Sequence, residues 1–79
     1  MLKIKDNVDM EELKNKYNLY EEFYEYDYDY SNDGDIILEH KYSAVFIDKF
    51  RREIFGIDNS NLDLLYDLIM DGVVKKEVE

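Results

Sequence analysis

The chain has 79 residues, no cysteine and a formal net charge of −10. This length supports one domain, and the missing cysteines exclude a disulfide framework, a thiolate metal ligand and a cysteine nucleophile. The acidic balance excludes a nucleic-acid-binding footprint, because it repels polyanions and steers the protein toward basic surfaces. Hydrophobic residues make up 46% of the chain and aromatics 15%, which separates it from disordered acidic tails. The apolar runs are far shorter than the ~20 residues that span a bilayer, and the N-terminus lacks a signal peptide's apolar region. A cytoplasmic protein is expected, in keeping with the absence of cysteine.

The first expected element is a short strand, because Leu2-Lys3-Ile4-Lys5 alternates apolar and basic residues. A helix over 9–17 follows. Asp9 and Glu12 have capping-box spacing, Val8 and Leu13 can form a hydrophobic staple, and Met10, Leu13 and Tyr17 share one face. The segment then becomes acidic and aromatic. Tyr24, Tyr26, Tyr28 and Tyr30 alternate with Glu25, Asp27 and Asp29, which predicts a strand with tyrosines on the core side and carboxylates on the other. Ser31-Asn32-Asp33-Gly34-Asp35 has turn composition, with Gly34 free to take a positive φ. A second hairpin strand follows at Ile36-Ile37-Leu38.

Ala44–Asp48 and Glu53–Ile57 read as two further strands joined by the polar turn Lys49-Phe50-Arg51-Arg52. Ser60, with Asp63 as its box partner, predicts the start of a last helix. Its apolar stripe is Leu62, Leu65, Leu68 and Ile69, with Leu64 at the margin; Asp63, Asp67 and Asp71 lie opposite and Gly72 is the stop. Val73 and Val74 allow a short final strand. The expected fold class is α+β: a small antiparallel meander of about four strands plus a short N-terminal strand, with two helices covering one face.

Three functional readings compete for the tyrosine-rich segment. An EF-hand frame with Gly34 at position 6 places Asp29, Ser31, Asp33 and Ile36 suitably. Position 12, however, is His40 rather than the required glutamate, Glu39 falls one residue early, and the flanks read as strands. Neither metal nor cofactor is expected. An enzyme is not expected either: the single histidine, His40, has no nucleophile motif near it, no glycine-rich loop is present, and a chain this small has little room for a substrate pocket.

The third reading is an acidic interaction surface. Residues 20–40 hold eight acids and no base, whereas residues 1–19 balance four against four. Along a strand, Glu25, Asp27 and Asp29 would stand ~6.6 Å apart, of the order of phosphate spacing. Glu21 and Glu22 precede this row, and Asp33 and Asp35 extend it. The candidate partner-binding residues are these seven acids with Tyr24, Tyr26, Tyr28 and Tyr30, since a basic groove that attracts polyanions would accept such a row and tyrosines suit interfaces. The alternative is a solvated strand whose acids serve solubility, in a protein that docks through its sheet or last helix. The basic turn can pair with the acidic strand internally or with a partner.

The bias toward Lys, Asn, Ile, Tyr, Asp and Glu, with no proline, fits AT-rich coding DNA. The stretches "MLKIKDNVDMEELKNKYNL", "VFIDKFRREIFGI" and "LLYDLIMDGVVKKEVE" together resemble small phage and prophage proteins of low-GC Gram-positive bacteria. These are framework motifs, so no functional residue transfers through them. The resemblance implies a class that includes anti-CRISPR and other anti-defence inhibitors. It makes a nucleic-acid mimic directed at a host protein, such as a CRISPR effector, the leading expectation.

Overall fold

The computed structural model describes residues 1–25, 34–56 and 61–77. In chain order the elements are β1 (Leu2–Ile4), α1 (Met10–Lys16), β2 (Leu19–Glu25), β3 (Gly34–His40), β4 (Val45–Asp48), β5 (Glu53–Gly56), α2 (Asp63–Met70) and β6 (Val74–Lys76). The fold is α+β, as the patterning predicts. The six strands form one antiparallel sheet in the order β2-β3-β4-β5-β1-β6. The meander is β2 to β5. The N-terminal strand is not an appendage to it, because β1 lies between β5 and β6. Among the described residues no helix is long and apolar enough to cross a membrane.

Register sorts the side chains onto two faces, because directly paired residues point the same way. Leu19, Leu38, Val45, Ile47, Ile54, Ile4 and Val74 fall on one face. Leu13 of α1 and Leu64 and Leu68 of α2 join them in a single core. Both helices therefore cover the same face. The opposite face carries Tyr20, Glu22, Tyr24, Asp35, Ile37, Glu39, Phe46, Asp48, Glu53 and Phe55.

Seven residues make a helix that is unstable alone, so α1 depends on its ends and its packing. Asp9 caps it by accepting from the Glu11 and Glu12 amides at 2.8 and 3.3 Å. Glu11 and Glu12 in its first turn and Lys14 and Lys16 in its last complement the helix dipole. Asn18, at φ 55°, turns the chain into β2, a conformation that asparagine tolerates better than most residues.

At α2 the expectation needs correcting. The N-cap is Leu62 rather than Ser60, which lies outside the described residues. The first free amide, that of Asp63, is met instead by Asn61 Oδ1 at 3.1 Å. The buried stripe is centred on Leu64 and Leu68, while Leu62 is 42% and Ile69 49% exposed. Leu62 sits at the cap, before the helical turn that would carry it inward. The stop is as expected: Gly72 takes φ 74°, and the Gly72 and Val73 amides bond to the Ile69 and Leu68 carbonyls in a Schellman pattern.

The β4–β5 turn is held by Asp48, which is buried yet satisfied, accepting from the Phe50 and Arg51 amides at 2.9 and 2.7 Å. Arg52 adopts φ 65° and donates to the Lys5 and Val8 carbonyls at 2.7 and 2.8 Å. It thereby clamps the β1–α1 connection to the turn.

Two helix positions one residue apart test this packing. Leu68→Ala should cost about 2–5 kcal/mol of unfolding free energy, whereas Ile69→Ala should change it by less than about 1 kcal/mol. Urea denaturation followed by circular dichroism measures both, and equal losses would refute the assigned helix face.

Candidate acidic interface

Of the eleven residues that the sequence nominates, Glu21, Glu22, Tyr24, Glu25 and Asp35 are described. Tyr26, Asp27, Tyr28, Asp29, Tyr30 and Asp33 lie outside the described residues. The strand begins at Leu19, five residues before the expected alternation, and pairs with β3 from Leu19↔His40 to Glu25↔Gly34. Gly34 and Asp35, expected in the turn, are strand residues. Gly34 is needed for close approach rather than for positive φ: a Cβ there would stand 2.6 Å from the Tyr24 carbonyl oxygen and collide with the Phe23 ring. Positions six to twelve of the EF-hand frame, Gly34 to His40, are all strand.

The expected separation of tyrosines toward the core and carboxylates away from it does not hold over β2. Tyr20 and Tyr24 lie on the uncovered face with Glu22, while Glu21, Phe23 and Glu25 lie on the helix side. The physical reason is in the order of residues: Tyr-Glu-Glu-Phe-Tyr-Glu over 20–25 breaks the alternation that starts at Tyr24. Past Leu19 the strand outruns the core, and Tyr20 through Glu25 are all exposed.

The acids differ in what surrounds them. Glu21 joins Lys49 in a hydrogen-bonded ion pair and meets Lys14 at 3.4 Å. Lys49 also reaches Glu11 at 3.1 Å. The Lys49 hydrogen bond holds the Glu21 carboxyl below the usual range, and the Glu21 bond raises Lys49. Asp35 meets Arg51 at 3.6 Å. The basic turn is therefore engaged within the molecule: Lys49 and Arg51 with hairpin acids, Arg52 with backbone carbonyls. Glu22 and Glu25 are exposed on opposite faces of the same strand.

A second group was not legible in the sequence. Glu39 is 6% exposed and accepts a hydrogen bond from the Tyr24 hydroxyl. Glu39 and Tyr20 are directly paired across β2 and β3. Hydrogen bonding to Glu39 pushes Tyr24 up to about 12 and raises Tyr20. Where α1 and α2 end, the Tyr17 hydroxyl donates to Asp71; burial, then this bond, pushes Tyr17 up to about 12. Asp71 is lowered by the same bond and by Lys16 at 3.6 Å. His40 accepts from the Tyr42 amide through Nδ1 at 3.1 Å, a local turn contact.

A phenol ionises near pH 10 when free. A raised folded value means that the unfolded chain loses its proton first, so these bonds stabilise fully below about pH 10 and progressively less toward about pH 12. Stability should be level from about pH 8 to about pH 10 and then fall by about pH 12. Urea midpoints across that range measure it. In Glu39→Gln the phenolate absorbance of Tyr24 should titrate nearer pH 10; an unmoved titration would refute the Tyr24–Glu39 bond.

Comparison of the chain with protein-family models, with curated proteins and with solved structures finds no match.

Proposed function

We propose that the protein is a non-catalytic inhibitor whose acidic hairpin occupies a basic, nucleic-acid-binding surface of another protein. The observation that carries this reading is the charge of the hairpin segment: eight acids and no base over residues 20–40, with Glu22 and Glu25 exposed at its described end. Glu21 and Asp35 play a different part, anchoring the hairpin to Lys49 and Arg51. The contact set for a partner is then Glu22, Glu25, Asp27, Asp29 and Asp33, with the tyrosines between them. A host defence protein such as a CRISPR effector is the target class that the phage resemblance implies.

A second reading has its own observation. Leu62 at the N-cap of α2 and Tyr66, Ile69 and Met70 along it are 42–65% exposed at helical spacing. This apolar stripe suits docking through the last helix in an accessory protein whose acids serve solubility.

Salt and charge removal separate the two. In the first reading, a basic nucleic-acid-binding protein captured from a low-GC Gram-positive lysate should be held at about 50 mM salt and largely released by about 200 mM. Duplex DNA should compete for it. Glu25→Gln, Asp27→Asn and Asp29→Asn together should abolish capture while leaving the circular dichroism spectrum intact. Capture that is retained in this triple variant and indifferent to salt would overturn the mimicry; its loss in Tyr66→Ser with Ile69→Ser would establish the helix reading.

A further inference from the structure

The uncovered face of the sheet holds an arrangement that the acidic row does not explain. Register places Tyr20, Glu39, Phe46 and Phe55 side by side across β2, β3, β4 and β5. Phe46 and Phe55 stack, with centroids 5.8 Å apart and planes 17° from parallel. The Tyr24 hydroxyl reaches back along the strand, past the Glu22–Ile37 pair, to Glu39. Ile37 is 5% exposed although it lies outside the core beneath the helices. The face is thus a second, aromatic layer built around one carboxylate.

That carboxylate has no cation. All ten bases of the chain lie within the described residues, and none forms an ion pair with Glu39. Phenol hydrogen bonds satisfy its oxygens but leave its charge uncompensated, a costly state for a group this buried. Beside it opens a groove of about 390 Å³ lined by Tyr20, Tyr24, Tyr42 and Phe46, with His40 and Lys41 also on its wall. Aromatic walls with a carboxylate at the base match an organic cation, which the ring faces attract and the carboxylate neutralises. The rim already shows the affinity, since Lys41 Nζ sits 5.4 Å from the centroid of the Tyr42 ring.

We propose that this groove is an anchor site for one arginine side chain of the basic partner protein. Arginine fits better than lysine because its guanidinium is planar, weakly hydrated and able to stack on a phenol while donating to a carboxylate. The proposal rests on the reading of the protein as a binder of basic surfaces, and it supplies what a row of solvated acids lacks. Exposed charges steer a partner and raise its on-rate, whereas an aromatic groove that closes around one charged side chain sets the dissociation rate.

The test is titration with a peptide of alternating arginine and glycine, against the same peptide carrying lysine or neutral citrulline. Nuclear magnetic resonance follows the ring signals of Tyr20, Tyr24 and Phe46, and calorimetry measures affinity. The arginine peptide should shift those rings and bind more tightly than the lysine peptide; the citrulline peptide should not bind. Glu39→Gln should weaken the arginine peptide about tenfold or more, and Lys41→Met should strengthen it. Ring mapping on the unaltered protein does not depend on any variant folding. If the arginine peptide binds without moving the rings and Glu39→Gln binds it equally, the groove is overturned while the acidic hairpin stands. If Glu39→Gln loses it but Glu22→Gln with Glu25→Gln keeps full affinity, the groove stands and the hairpin reading falls. No binding by the arginine peptide overturns both.

Discussion

Twenty acids share ten bases in this chain, so its bases can neutralise at most half of its carboxylate charge. Where those bases sit therefore decides where the remaining charge appears. Lys14 and Lys49 gather Glu11 and Glu21, joining α1, β2 and the β4–β5 turn on the helix side. Lys3 and Lys75 hold Glu77 and Asp6 at the β1–β6 end, and Lys16 meets Asp71 below α2. Among the described residues of β2 and β3, Glu21 is met by Lys14 and Lys49 and Asp35 by Arg51. The surplus collects there because the segment itself has no base, and β2 is also an edge strand. Charge on an exposed edge discourages edge-to-edge pairing with other chains, so the same acids guard the β2 edge.

Much of the architecture was legible because local chemistry dictated it. Asp9 announced the start of α1, Gly72 the end of α2, and two short apolar segments around a polar turn gave β4 and β5. The errors arose where tertiary geometry overrides local pattern. Leu62 and Leu64 are equally apolar, and only the position of the cap decides which of them turns inward. The place of β1 between β5 and β6 has no sequence signal, since strand order depends on which edges the crossovers leave available. The candidate interface was half legible. Composition located the acidic hairpin, but it could not show that Glu21 is an internal anchor, because Lys14 and Lys49 are distant in sequence. Nor could it show Glu39. A glutamate at the end of an apolar strand looks exposed until register places Tyr20 and Phe46 on either side of it.

The one-sided arrangement of the helices gives the sheet two faces of different character. Beneath the helices, aliphatic side chains pack into a core. On the other side, aromatic rings and a carboxylate form a layer that is partly covered by its own tyrosines. A chain of this length has too few elements to cover both faces, and tyrosine suits the open one because its ring shields apolar surface while its hydroxyl stays polar.

The position of β1 between β5 and β6 also bears on how the molecule assembles. Its two neighbours are the fifth and sixth strands, so β1 pairs with segments far from it in sequence. The β2–β5 meander can form from neighbouring segments, but β1 joins the sheet only through pairings with β5 and β6. Closing so long a loop is entropically demanding. β1 thus acts as the closing piece of the sheet, joining the meander to β6.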